Sequence, residues 1–224
     1  MNEFQAGVAL VVRLLLLAVL TGMLWRGKVR YCWAFAAYVL AALLGNTLVS
    51  LWPDRFFNPS FWMFKQGVYD VLKVAIALEL AWRSFGAFPG ALRTARRVLL
   101  ALLAVSTLAI VWLGSPSSYE TLWEWQPPVA TAALWLLTVT ALMVVWYQVP
   151  VNGWQRAIML GLAPYLLVFV SLLGVLERRG WALAGEFFAT AETLAYLALV
   201  AFWAWAAWRR DPVRAAAAPV RSLA

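Results

Sequence analysis

Histidine is absent from the chain, and cysteine occurs once, as Cys32. The first absence excludes Ser-His-Asp hydrolysis, HExxH proteases and zinc, haem or copper sites built on imidazole. The second excludes an intramolecular disulfide. A lone cysteine in an apolar helix reads as small packing material. No Walker A loop is present, so P-loop nucleotide chemistry is excluded too, and no cofactor is expected. Charge is scarce: 12% of residues are Asp, Glu, Lys or Arg, against about 25% in a soluble domain.

Apolar residues fill the gap. They make up 65% of the 224 residues, and mean hydropathy is +0.79. Fifteen tryptophans suit membrane–water interfaces. The chain therefore reads as all-α, a polytopic membrane bundle. The net charge of +8 does not point to nucleic acid, because the basic residues gather in short segments between apolar runs. The lipid bilayer is the expected partner.

Seven spans can be drawn: Phe4–Trp25, Tyr31–Trp52, Ser60–Phe85, Arg97–Leu113, Pro127–Gln148, Val151–Val175 and Leu183–Trp208. Each is long enough to cross a hydrocarbon layer of roughly 30 Å at about 1.5 Å per residue. Pro53 stops the second span, and Ser60 is the expected N-cap of the third. The first run begins with Glu3, carries Arg13 and has no small-residue cleavage site, so it reads as a span and not as a cleaved signal. Residues 1–208 form the expected transmembrane domain. Residues 209–224 form a short basic tail, expected to be disordered, with Arg209-Arg210 anchoring the last helix at anionic headgroups. Residues 115–126, with Trp123, Trp125, Glu120 and Glu124, read as an interfacial aromatic loop.

Loop charge sets the expected orientation. One set of connections holds Arg26, Lys28, Arg30, Arg83, Arg93, Arg96, Arg97, Arg156, Arg209, Arg210, Arg214 and Arg221; the other holds Arg55, Arg178 and Arg179. The twelve-to-three imbalance places the N-terminus outside and the C-terminus in the cytoplasm, in a bacterial-type inner (plasma) membrane.

The costly residues are those inside the spans. A charge at the bilayer centre costs about 2.5–3.5 kcal/mol on insertion scales. Gln66, Tyr69, Asp70 and Lys73 share an arc of roughly 100° on the third span, so this stripe should face the bundle interior. Lys65 lies just outside the arc and can snorkel outward. Arg13 sits mid-span without a local partner, Asn46 lies in the outer third of the second span, and Glu186, Glu192 and Tyr196 lie on the seventh. Arg13, Lys65 and Lys73 balance Asp70, Glu186 and Glu192 in sign. The expectation is a charge network or ligand site in the outer half, joining the first, third and seventh helices. It would pair Arg13 or Lys73 with Asp70 or Glu192. Glu79 and Arg83, four apart, form a separate expected pair. Pro164 should kink the sixth span.

Seven spans resemble receptor-like and rhodopsin-like proteins in architecture alone. Leu183–Trp208 holds no lysine for a retinal Schiff base, and the Asp-Arg-Tyr and Asn-Pro-x-x-Tyr motifs are missing. The expected function is a membrane sensor or module binding a small polar ligand, coupled to a separate signalling or membrane partner protein. The alternatives are a solute or proton-coupled transporter and a structural subunit of a membrane complex. No catalytic motif is found, and an enzyme acting on lipid would need Asp, Glu, Lys or Tyr as its acid and base.

Overall fold

The computed structural model describes residues 3–85, 119–146, 149 and 151–210. The expected fourth span, and all but the first two residues of the tail, lie outside the described residues. The described chain is helical: α1 (Glu3–Trp25), a 3-10 turn (Lys28–Tyr31), α2 (Trp33–Leu51), the short α3 (Pro53–Phe56), α4 (Pro59–Phe85), α5 (Tyr119–Trp146), α6 (Gly153–Arg179) and α7 (Trp181–Trp208). Five of these, α1, α2, α5, α6 and α7, are long and apolar enough to cross a membrane. The sixth long helix, α4, carries Lys65, Asp70, Lys73, Glu79 and Arg83.

Local chemistry explains the boundaries, and at three places it corrects the sequence reading. Asn58, not Ser60, caps α4: its Oδ1 accepts from the Phe61 amide at 2.8 Å, and Pro59 occupies the first helical position, where a missing N–H costs nothing. Residues 119–126 of the expected loop before the Pro127-Pro128 pair are instead the first part of α5, which runs through both prolines; the apolar stretch itself begins at Pro128. The connection expected between Val175 and Leu183 shrinks to Gly180 alone. With φ 75° and ψ 165°, Gly180 holds a conformation open essentially to glycine.

The six long helices form a closed ring of neighbours in the order α1, α2, α4, α5, α6, α7 and back to α1. The ring closes on an aromatic centre. Phe35 of α2 meets Trp203 of α7 edge-on at 4.7 Å and Trp154 of α6 at 5.4 Å. Lipid is as apolar as leucine, so helices in a bilayer associate by close packing and not by the hydrophobic effect. Gly161 shows how tight that packing is: a Cβ there would lie 2.6 Å from Trp203 Nε1. Pro164, one turn on, lies on the exposed face of α6, while Tyr165 faces inward. Leu10, Leu14, Leu17, Leu142 and Val145 stay more than 45% exposed, as side chains bound for lipid would be.

Candidate functional site

At one end of the ring, charged side chains close helix termini. Lys28, 3% exposed, donates to the Ala206 carbonyl at 3.0 Å and the Arg209 carbonyl at 2.8 Å. These are carbonyls at the C-terminal end of α7, where a cation meets both unpaired acceptors and the helix dipole. Glu79 does the converse for α2, accepting from the backbone amides of Trp33 at 3.1 Å and Ala34 at 2.8 Å. Arg83 holds the same carboxylate at 2.7 Å, and the Cys32 thiol donates to it at 3.4 Å. Asn152 and Gln155 form a capping box on α6, and Gln155 reaches back to the Tyr31 carbonyl at 3.2 Å. The pairing of Glu79 with Arg83 is legible at i, i+4; its capping of α2 is not, because that contact spans 45 residues.

Deeper in the ring lies a second polar group. Lys73 donates to Asp70 Oδ1 at 2.9 Å, and both are buried. A single turn of α4 thus neutralises two charges that neither lipid nor an apolar core would tolerate alone. Lys73 Nζ also lies 5.0 Å from the centroid of Phe169 on α6. Glu192 of α7 accepts from the Tyr165 hydroxyl at 3.0 Å. Among the described residues, no basic group comes within the 4.0 Å of an ion pair with Glu192.

Four tyrosines knit the helices here. Tyr38 of α2 and Tyr69 of α4 lie 5.8 Å apart by ring centroid, as do Tyr165 of α6 and Tyr196 of α7. Among the described residues, the buried Tyr69 hydroxyl has no hydrogen-bond partner. A buried hydroxyl left unpaired costs about 1–3 kcal/mol.

The remaining expected residues sit elsewhere. Arg13 is half-buried, and its Nε donates to the Ala9 carbonyl of its own helix at 3.2 Å. Among the described residues, no carboxylate comes within 4.0 Å of it. The helix expected to join α4 and α7 is therefore not α1, which packs against α2 and α7; Tyr165 of α6 and Tyr38 of α2 complete the cluster. Glu186 is exposed, six residues before Glu192 and outside the cluster. Asn46 and Gln66 are half-buried. Tyr38 was missed in the sequence, although Phe35, Tyr38, Val39, Ala42 and Gly45 are all buried at helical spacing on α2. Tyr165, next to Pro164 on α6, carries no sequence signal that singles it out.

Two cavities flank this group. One, of about 640 Å³, opens among Glu79, Trp82, Arg83 and Gln155 at the capped end. The other, of about 280 Å³, lies among Val49, Phe56, Phe57, Asn58, Phe61, Trp62 and Lys65. Neither is lined by Asp70, Lys73 or Glu192. Among the described residues, no three His, Cys, Asp or Glu side chains gather as metal ligands. Compared with family models, with curated proteins and with solved structures, the chain matches none of them.

Proposed function

We propose that this chain is a seven-span membrane sensor or small-ligand-binding module, with its N-terminus outside and its working site at the interior cluster of Asp70, Lys73, Tyr69, Tyr165, Glu192 and Tyr196. The observation that carries the reading is Glu192. Its carboxylate accepts from Tyr165, and among the described residues no cation pairs with it. With the Tyr69 hydroxyl, which has no partner among the described residues, the cluster holds more hydrogen-bonding capacity than these residues use. Spare polar capacity inside an apolar bundle marks a place where a ligand or proton can be taken up. Ligand binding would bias the packing of α4, α6 and α7, and the capped basic end would present the change to a separate membrane or signalling protein.

Thermal unfolding in lipid nanodiscs tests this, with amino acids, sugars and short organic acids as probes. A ligand at about 100 times its Kd stabilises by about 2.7 kcal/mol. One class of probe should raise the midpoint, and Glu192→Gln should abolish that rise while leaving the fold intact. A folded protein whose midpoint no probe moves would count against the reading.

The same carboxylate also favours a proton-coupled carrier as the second reading, since intramembrane carboxylates serve as relays in carriers. Reconstituted vesicles separate the two: the carrier requires Glu192-dependent flux of solute or protons, and the sensor requires binding without flux.

A further inference from the structure

We infer that the cavity between the end of α2, α3 and the first turns of α4 is a binding site for a small aromatic carboxylate, with Lys65 as its anion partner. The inference rests on the reading of the chain as a ligand-binding module and names the ligand for the outer mouth of that module. The cavity's volume, about 280 Å³, falls just below the range for drug-sized pockets, roughly 300–1,000 Å³, and so suits a small ligand. Four aromatic side chains line it: Phe56, Phe57, Phe61 and Trp62. Phe56 already meets Phe61 edge-on at 4.9 Å and Trp52 at 6.5 Å, so a further ring extends an existing edge-to-face series.

Lys65 supplies the charge. Its methylenes lie so close to α2 that a Cβ on Gly45 would meet Lys65 Cδ at 3.0 Å. The ammonium lies 5.9 Å from the Tyr69 ring centroid. Among the described residues, no carboxylate comes within 4.0 Å of it. At the same end, Arg55 stands 5.7 Å from the Phe56 ring centroid, a second cation suited to drawing in an anion. The other polar wall residue is committed: Asn58 donates to the Arg55 carbonyl at 2.7 Å and accepts from the Phe61 amide at 2.8 Å. The site thus offers one inner cation and aromatic walls. That suits a monoanion carrying a ring better than a phosphate, which wants several donors, or a polyol.

Fluorine NMR of 3-(4-fluorophenyl)propionate, with the full chain in neutral phosphatidylcholine nanodiscs, tests the assignment. Wild type should bind saturably. Lys65→Met should weaken binding at least tenfold, Val49→Trp should abolish it by filling the cavity, and the neutral amide of the probe should bind at least tenfold more weakly. No saturable binding to folded wild type, equal affinity for acid and amide, or an unchanged Lys65→Met would each overturn the proposal. So would a lysine-dependent enrichment of phosphatidylglycerol at the protein in a second set of nanodiscs that contain that lipid, with no binding of the probe, which would assign the site to a lipid headgroup. If the probe fails to bind while another solute still gives the Glu192-dependent rise in midpoint, the aromatic-acid site falls and the module reading stands.

Discussion

The capped end and the interior cluster use the same residue types to opposite effect. At the capped end, Lys28 and Glu79 meet backbone groups that helix termini leave open, and each contact joins segments far apart in the chain. In the interior, Lys73 and Asp70 meet each other within one helix turn, which adds no link between helices. Glu192 meets a tyrosine, and among the described residues the Tyr69 hydroxyl meets no partner. Charges that hold the fold are saturated and long-range, whereas the interior polar groups are locally neutralised and undersupplied with partners. A group kept for stability alone would be replaced by leucine at little cost, so the undersupplied cluster is where function should be sought.

The largest expected effect separates the two ways of handling charge. Asp70→Asn strands a buried ammonium and should cost about 3–5 kcal/mol. The double variant Asp70→Leu with Lys73→Met should recover most of that loss, because it removes both charges together. Chemical unfolding in mixed micelles reads both; a mild effect of Asp70→Asn would mean that water reaches the pair. Next comes the capped end. Lys28→Met leaves the Ala206 and Arg209 carbonyls short of a donor and should cost about 1–2 kcal/mol, with faster amide exchange in the last turn of α7. Unchanged exchange there would remove Lys28 from the account. The smallest effect belongs to Glu79→Gln, about 1 kcal/mol, because the single amide oxygen still accepts from one of the two α2 amides, while the other amide loses its acceptor and the attraction to Arg83 is lost. Exchange at Trp33 and Ala34 measures it.

Hydropathy and charge asymmetry make the helical membrane architecture legible, since apolar runs of bilayer length have few other uses. The stripe on α4 was legible as well: 3.6-residue periodicity alone puts Asp70 and Lys73 on one face. What one helix's periodicity cannot state is which other helix faces it. Arg13 was assigned to the network because charges must balance, yet balance is a property of the whole chain and pairing is a property of neighbours. In the ring, α1 lies between α2 and α7, and Arg13 turns to its own backbone. Tyr38 and Tyr165 escaped because tyrosine is also an ordinary core and interface residue, so only the facing helices reveal their convergence. The N-cap was misplaced by two residues because Asn58 and Ser60 are both good caps, and Pro59 at the first helical position decides between them.

The central claim is that the interior cluster carries more polar capacity than its packing satisfies. The most direct test is the unfolding free energy of Tyr69→Phe, which deletes the unpaired hydroxyl and keeps the ring. Removing a buried hydroxyl that lacks a partner relieves a penalty of about 1–3 kcal/mol. The variant should therefore be at least as stable as wild type, and it should lose the Glu192-dependent response to ligand. A variant destabilised by more than about 1 kcal/mol, the worth of a satisfied hydrogen bond, would show that the hydroxyl is a bonded part of the scaffold and would contradict the account.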